Sequence, residues 1–140
     1  MKLLIAADIF PPQAGGPATY AVVLANASMK RGDEVKIVSL NTESDKSAVS
    51  CIMYHVSWRW KPLRYLQYFY LLFKHAKNAD IIYAMGPVNA GLPALIAAKL
   101  RKKKFVVKVV GDYAWEQFLV KFQISNIKSQ INPKSQIPNI

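Results

Sequence analysis

The sequence predicts an α/β fold, a Rossmann-like parallel sheet with helices on both faces. Short apolar runs alternate along the chain with longer segments of helical periodicity. The first run, 3–7, lacks polar alternation, which is typical of a strand buried on both faces of a parallel sheet. Short connections between the segments favour right-handed crossovers. With 140 residues, 52% of them hydrophobic and 19% charged, the chain can bury one core.

The first predicted helix follows the strand at 3–7. Pro17 suits its first turn, and Gly32 lies just beyond its expected end. Its larger apolar residues recur at helical spacing, which predicts the face that packs on the sheet. These residues are Tyr20, Val23, Leu24 and Ala27.

Further strands and two further helices complete the predicted sheet. The strands are expected at 34–40, 51–56, 80–85 and 105–110, and the helices at 63–77 and 89–102. The first of these helices is expected to carry its apolar residues on one face, with some ring area left exposed, and the second is expected to direct its large apolar side chains inward. These are Leu66, Phe69, Tyr70 and Phe73 in the first helix, and Leu92, Leu95, Ile96 and Leu100 in the second.

The sequence changes character at Gln123. Residues 123–140 contain Lys-Ser-Gln-Ile twice, and Pro133 and Pro138 interrupt any regular structure. We therefore expect an incomplete Rossmann-like domain at 1–122 and a low-complexity, disordered tail at 123–140. The abrupt change indicates a fragment.

Charge and composition restrict the function. The formal net charge of +11 favours a partner that carries phosphate, or an anionic membrane surface. The single cysteine, Cys51, cannot form an internal disulfide, which indicates a reducing cytoplasm. We expect no metal site, because no Cys/His cluster has ligand spacing. The long uncharged stretches 9–29 and 81–98 contain helix-breaking prolines and glycines, so neither is expected to span a bilayer.

Gly15-Gly16-Pro17 lies between the first strand and the first helix. Glycines let the backbone approach a ligand, and a helix amino terminus offers unpaired N–H groups to phosphate. The alternative explanation is a turn that needs positive φ. The sequence has neither GxGxxG nor GxxxxGK[ST], which argues against ordinary NAD binding and ATP hydrolysis.

Four short motifs occur in a fixed order between residues 9 and 116. They are Ile-Phe-Pro-Pro at 9–12 with Gly-Gly-Pro-Ala-Thr-Tyr at 15–20, Asp-Ile-Ile-Tyr-Ala at 80–84 with Gly-Pro at 86–87, Gly-Leu-Pro-Ala at 91–94, and Lys-Val-Val-Gly-Asp-Tyr-Ala-Trp-Glu at 108–116. In this order they resemble the amino-terminal domain of glycosyltransferase family 4. The resemblance implies the acceptor-side half of a GT-B enzyme. Such an enzyme transfers a hexose, with retention, from a nucleotide-sugar to a glycan or lipid-linked acceptor, without a further cofactor.

The resemblance also implies roles for individual residues. Gly15 and Gly16 would bind the donor diphosphate through backbone N–H groups. Asp112 and Tyr113 stand where the family commonly presents a histidine to the reacting sugar, and Asp112 is favoured as a hydrogen-bond partner for hydroxyl groups. The acceptor-side rim would consist of Pro17, Tyr20, Gly86 and Asn89.

The family's donor-binding domain has no counterpart in this sequence. That domain carries a paired-glutamate motif, which Glu34, Glu43 and Glu116 cannot supply. The final strands and crossover helix of the amino-terminal domain are also not found. We therefore expect a truncated or frameshifted glycosyltransferase that is inactive alone.

Basic and aromatic segments leave alternatives open. Five of the six residues 99–104 are basic, and we expect a solvated helix end there, not a nucleic-acid site, because no aromatic stacking platform accompanies them. Residues 58–61, Trp-Arg-Trp-Lys, and the aromatic helix after them resemble an interfacial membrane segment. The alternatives are a non-catalytic module that binds a phosphorylated ligand and a basic peripheral membrane protein. The expected location is the cytoplasm or the inner face of the membrane.

Overall fold

The computed structural model describes residues 1–13, 15–43, 45–109 and 120–126. The chain divides into two units, Met1–Lys108 and Val109–Ile140. The sheet and its helices lie in the first unit, and residues 120–126 of the second are helical. Gln123 therefore falls inside a helix, while the division into 1–122 and 123–140 stays a prediction. Every helix in the described part of the chain is too short or too polar to cross a bilayer.

Within the described residues, five strands form one parallel sheet in the order β3-β2-β1-β4-β5. The predicted α/β class and parallel sheet are confirmed. The central strand is β1, whose residues are buried from Leu3 to Ala7, as its unbroken apolar run predicts. The strand bounds are β1 Lys2–Ala7, β2 Glu34–Ser39, β3 Ile52–His55, β4 Ile81–Ala84 and β5 Lys104–Val107.

The helices cover both faces of the sheet. They are α1 Gly16–Lys30, α2 Lys61–Ala76 and α3 Gly91–Arg101, with a short 3₁₀ turn at Lys46–Ala48. Alternate residues of β1 point to opposite faces: Ile5 packs with α1, whereas Leu4 packs with α2 and α3. Gly32 follows α1 with a φ of 88°, a conformation that ends the helix and that glycine adopts without strain.

The predicted inward face of α1 is only partly right: Tyr20 and Leu24 are partly buried against the core. The helix buries the small residues Ala18, Ala21, Ala25 and Ser28, while Val23 is 58% exposed. The strands already supply large side chains to this face, including Ile5 and Ile37. Close packing then favours small side chains on the facing helix, because large ones would hold it away from the sheet.

The predicted apolar face of α2 packs against the core only in part, and the predicted inward face of α3 is wrong. In α2 the buried residues are Tyr68, Leu72 and Ala76, whereas Leu66 and Tyr70 are exposed. Phe69 and Phe73 are partly buried against the core. In α3 small residues pack inward, and the large apolar side chains face outward. The buried residues are Gly91, Ala94, Ala97 and Ala98, and the exposed ones are Leu92, Leu95, Ile96 and Leu100.

His75, near the end of α2, stacks on Tyr54 of β3 with ring centroids 3.9 Å apart. Partial burial, together with the positive charges of Lys36 and Lys74, holds the pKa of His75 below its ordinary value of 6.5. The unfolded chain therefore binds a proton at this ring before the folded chain does. We expect the free energy of unfolding to be at its full value above about pH 6.5 and to fall as the pH drops below it.

The measurement is urea unfolding of the wild type and His75→Gln between about pH 7.5 and 5.5. The variant is expected to lose part of the decrease in stability toward acid. The same pH dependence in both proteins would contradict the assignment to His75.

Candidate functional site

A polar cavity of about 220 Å³ lies at the edge of the sheet where the strands end. Ile9 and Leu40 are among the residues that line it. Open parallel sheets bind ligands at this carboxyl edge. Six polar side chains line the cavity: Asp8, Gln13, Asn41, Arg64, Tyr65 and Asn89.

The topology explains why these residues meet. Asp8 directly follows β1, and Asn41 comes soon after β2. The helix α2 follows β3, so its first turns, with Arg64 and Tyr65, lie at the same edge. Asn89 comes from the loop between β4 and α3.

Hydrogen bonds hold two of the cavity walls in place. The Asn41 amide is buried and donates through Nδ2 to the Phe10 carbonyl at 2.8 Å. The Asn41 backbone N–H donates to Ser39 Oγ at 3.2 Å. On the other side, the Tyr65 hydroxyl donates to Asn89 Oδ1 at 3.1 Å and so joins α2 to the loop before α3.

Arg64 contributes a permanent positive charge to the cavity. Its Nε atom is buried and has no hydrogen-bond partner among the described residues. The guanidinium carbon lies 6.0 Å from the centroid of the Tyr65 ring. A buried donor without a partner is uncommon in folded proteins, and a bound ligand is one way to satisfy it.

Asp8 provides a negative group at the end of the central strand. Its Oδ1 accepts the N–H of Ile9 at 3.2 Å. A Cβ at Gly86 would lie 3.2 Å from Asp8 Oδ2, so a larger residue there would press on the carboxylate.

Burial raises the pKa of Tyr68 well above its ordinary value, and the charge of Asp8 raises it further. Tyr68 therefore stays a neutral donor, and its hydroxyl bonds to the Ala7 carbonyl at 3.3 Å.

The amino terminus of α1 is exposed. Gly15 precedes the helix with extended backbone angles, φ 163° and ψ 154°, so it does not need a positive φ. No side chain of the described residues caps the helix. A Cβ on Gly16 would meet no atom within 4 Å, which shows that the space beside it is open. The N–H of Gly16 is thus accessible to a ligand, whereas the next residue, Pro17, has no N–H.

The predicted rim residues do not form one cluster. Asn89 lines the cavity and Gly86 adjoins Asp8. Pro17 and Tyr20 instead belong to α1, on the other face of the sheet from α2. Burial and a hydrogen bond that Tyr83 makes to Tyr20 raise the pKa of Tyr83 to about 12. Tyr20 also contacts Lys108, whose Nζ lies 3.0 Å from the ring centroid.

Sequence reasoning did not single out five of the six polar residues of the cavity: Asp8, Gln13, Asn41, Arg64 and Tyr65. Asp8 and Asn41 follow predicted strands, a position that could have identified them, whereas Arg64 and Tyr65 gave no comparable signal. The predicted Asp112 and Tyr113 lie outside the described residues. In the described part of the chain, no three His, Cys, Asp or Glu side chains are grouped to hold a metal ion.

Comparison with known proteins places the chain in a family. The model of glycosyltransferase family 4 matches residues 14–125. The curated proteins yield no match. Among solved structures, the C-terminal domain of a hydrogenase from Pyrococcus furiosus is similar, with a TM-score of 0.51 and 15% identity over 77% of this chain and 90% of that one. A likeness at that identity concerns the fold alone. Because the family model spans most of the sequence, the chain belongs to glycosyltransferase family 4.

Proposed function

We propose that this domain is the acceptor-binding half of a retaining glycosyltransferase and that the polar cavity binds the acceptor. The observation that carries the proposal is the set of groups at the carboxyl edge: a carboxylate, amides, a phenol and a guanidinium. Such groups can donate to and accept from sugar hydroxyls, and convergent polar groups in a cleft are typical of a small-molecule site. The acceptor is a glycan or a lipid-linked sugar.

We place the donor beside α1. The backbone N–H groups of Gly15 and Gly16 would bind the diphosphate of a nucleotide-sugar. They would also stabilise the negative charge of the leaving group. Asp112 and Tyr113 are proposed to contact hydroxyls of the transferred hexose. The proposed reaction uses no metal or additional cofactor.

Turnover is proposed to need a second domain that binds the nucleotide. A paired-glutamate motif of the kind described above is not found in the sequence. We therefore expect these 140 residues to bind an acceptor without transferring sugar.

Replacing Arg64 tests the acceptor site. An array of immobilised glycans and glycolipids selects a ligand, whose affinity is then measured by titration. Arg64→Gln is expected to weaken binding about 10- to 100-fold, because a charge-assisted hydrogen bond is lost. Arg31→Gln is the matched control: Arg31 is an exposed arginine at the end of α1 and takes no part in the cavity.

Equal affinities of the wild type and Arg64→Gln would show that the cavity is not the acceptor site. A loss of binding in both variants would indicate a general effect of positive charge. Hydrolysis or transfer of UDP-glucose or GDP-mannose by the 140-residue chain would overturn the requirement for a second domain.

A further inference from the structure

The outward surface of α2 and α3, together with the segment before α2, exposes many large apolar side chains. Single exposed apolar residues are normal on a protein, but neighbouring ones that form a continuous patch mark an interaction surface. The following residues are each more than half exposed: Trp58, Trp60, Leu66, Tyr70, Leu92 and Leu100.

The two helices form one continuous layer. Arg101, the last residue of α3, donates through Nε to the Phe73 carbonyl of α2 at 3.3 Å. Its guanidinium carbon also lies 3.9 Å from the centroid of the Phe73 ring. A groove of about 510 Å³ runs along α2, and almost all of its lining is apolar. The apolar lining residues are Trp58, Leu63, Leu66, Phe69, Tyr70 and Phe73.

Basic residues accompany the two helices and the segments next to them. Residues 58–77 and 91–104 contain ten Lys or Arg and no Asp or Glu. The sequences of α2 and α3 contain no Asp or Glu. The outward row of α2 continues from Leu66 and Tyr70 to Lys74 and Lys77 at helical spacing.

We infer that the outward surface of α2 and α3, with Trp58 and Trp60, docks on an anionic lipid bilayer. Protein–protein interfaces are depleted of lysine, whereas this apolar patch is bordered by lysines and arginines. Tryptophan and tyrosine rings combined with long basic side chains suit the boundary between lipid headgroups and acyl chains. The positive charge attracts the anionic surface, and apolar burial then holds the protein there.

The inference does not depend on the proposed glycosyl transfer, because the apolar groove and the polar cavity share no lining residue. It does bear on the acceptor. The first turns of α2 carry Arg64 and Tyr65 of the cavity, so docking through α2 brings that cavity close to the lipid surface.

Vesicle binding of the 140-residue chain tests the inference. Co-sedimentation is compared between vesicles of phosphatidylcholine alone and vesicles with about one third phosphatidylglycerol, at low and high salt. Trp58 and Trp60 are two of the three tryptophans, so their fluorescence is expected to shift to shorter wavelength on docking. We expect binding to the anionic vesicles that weakens with salt.

Two double variants separate the apolar from the electrostatic contribution to vesicle binding. Leu66→Gln combined with Tyr70→Gln is expected to weaken binding about tenfold or more, through lost apolar burial. Lys74→Gln combined with Lys77→Gln is expected to weaken it by a similar factor at low salt and less at high salt. The matched control Val23→Gln changes an equally exposed apolar residue on α1 and is expected to bind like the wild type.

Several outcomes overturn the inference. One is the absence of binding to anionic vesicles at low salt while circular dichroism shows the folded chain. Another is binding that the Leu66→Gln/Tyr70→Gln variant retains in full. A concentration-dependent dimer that this variant abolishes, without vesicle binding by the wild type, would assign the surface to a second copy of the chain.

Discussion

Replacing Tyr68 with alanine is expected to lower the free energy of unfolding by about 3–5 kcal/mol. Tyr68 is fully buried between α2 and the sheet, among the largest side chains of the core. Its removal leaves a cavity that the surrounding strands cannot close, because β1 is held by neighbouring strands on both sides. Urea unfolding followed by circular dichroism measures the loss, and differential scanning calorimetry serves if the variant unfolds at low denaturant.

Two further substitutions show which part of Tyr68 matters. Tyr68→Phe removes only the hydroxyl, and we expect a cost below about 1 kcal/mol. The Ala7 carbonyl keeps the N–H of Leu40 as a donor at 3.0 Å, so it is not left without a partner. Tyr70→Ala, two residues along the same helix, removes a mostly exposed ring and is expected to change stability by no more than about 0.5 kcal/mol. Equal costs at positions 68 and 70 would contradict this packing of α2.

Gly91→Ala is expected to cost about 1–3 kcal/mol or more, although alanine is the better helix former. A Cβ at Gly91 would lie 2.5 Å from the carbonyl oxygen of Gly86, a backbone atom that cannot rotate away. It would also lie 3.6 Å from Val107 Cγ2, so movement toward β5 gives little relief. The start of α3 must therefore shift, and with it the Gly86 loop beside Asp8.

Gly16→Ala is the matched control for stability, because its added Cβ would meet no atom within 4 Å. It is expected to leave the free energy of unfolding unchanged or to raise it by about 0.4–1 kcal/mol. Denaturant unfolding of both variants decides the question. If Gly91→Ala is as stable as Gly16→Ala, the close approach of α3 to the Gly86 carbonyl is not a constraint in the protein.

The strands were predictable because their physical signature is local. An apolar run without polar alternation, as in β1, has few alternatives to a strand buried on both faces. The turn signals were equally local, since Gly32 adopts the positive φ that ends α1. The family motifs at 9–20 and 80–94 identified the fold at the level of a whole domain, which agrees with the match over residues 14–125.

The inward faces of the helices were not predictable from apolar periodicity. In α1 and α3 a row of small residues lies beside large apolar ones, and apolar periodicity alone favours the large residues. The large side chains of the sheet fill the space between the sheet and these helices. Small residues such as Ala21 and Ala94 therefore pack inward. The large apolar side chains of α3 are left outside, where with Leu66 and Tyr70 of α2 they form the surface proposed for lipid.

The residues of the candidate site also differ in whether the sequence could place them. Strand ends are visible in the sequence, and Asp8 could be placed at the binding edge from its position after β1. Arg64 lies 56 positions along the chain from Asp8 and joins it only because the crossover from β3 starts α2 at that edge. The amino-acid sequence therefore decided the class of fold, the order of its elements and its family, since these follow from local patterns and motifs. Only the tertiary structure decided which side chains meet and which helix face is buried, because both depend on the space left between layers.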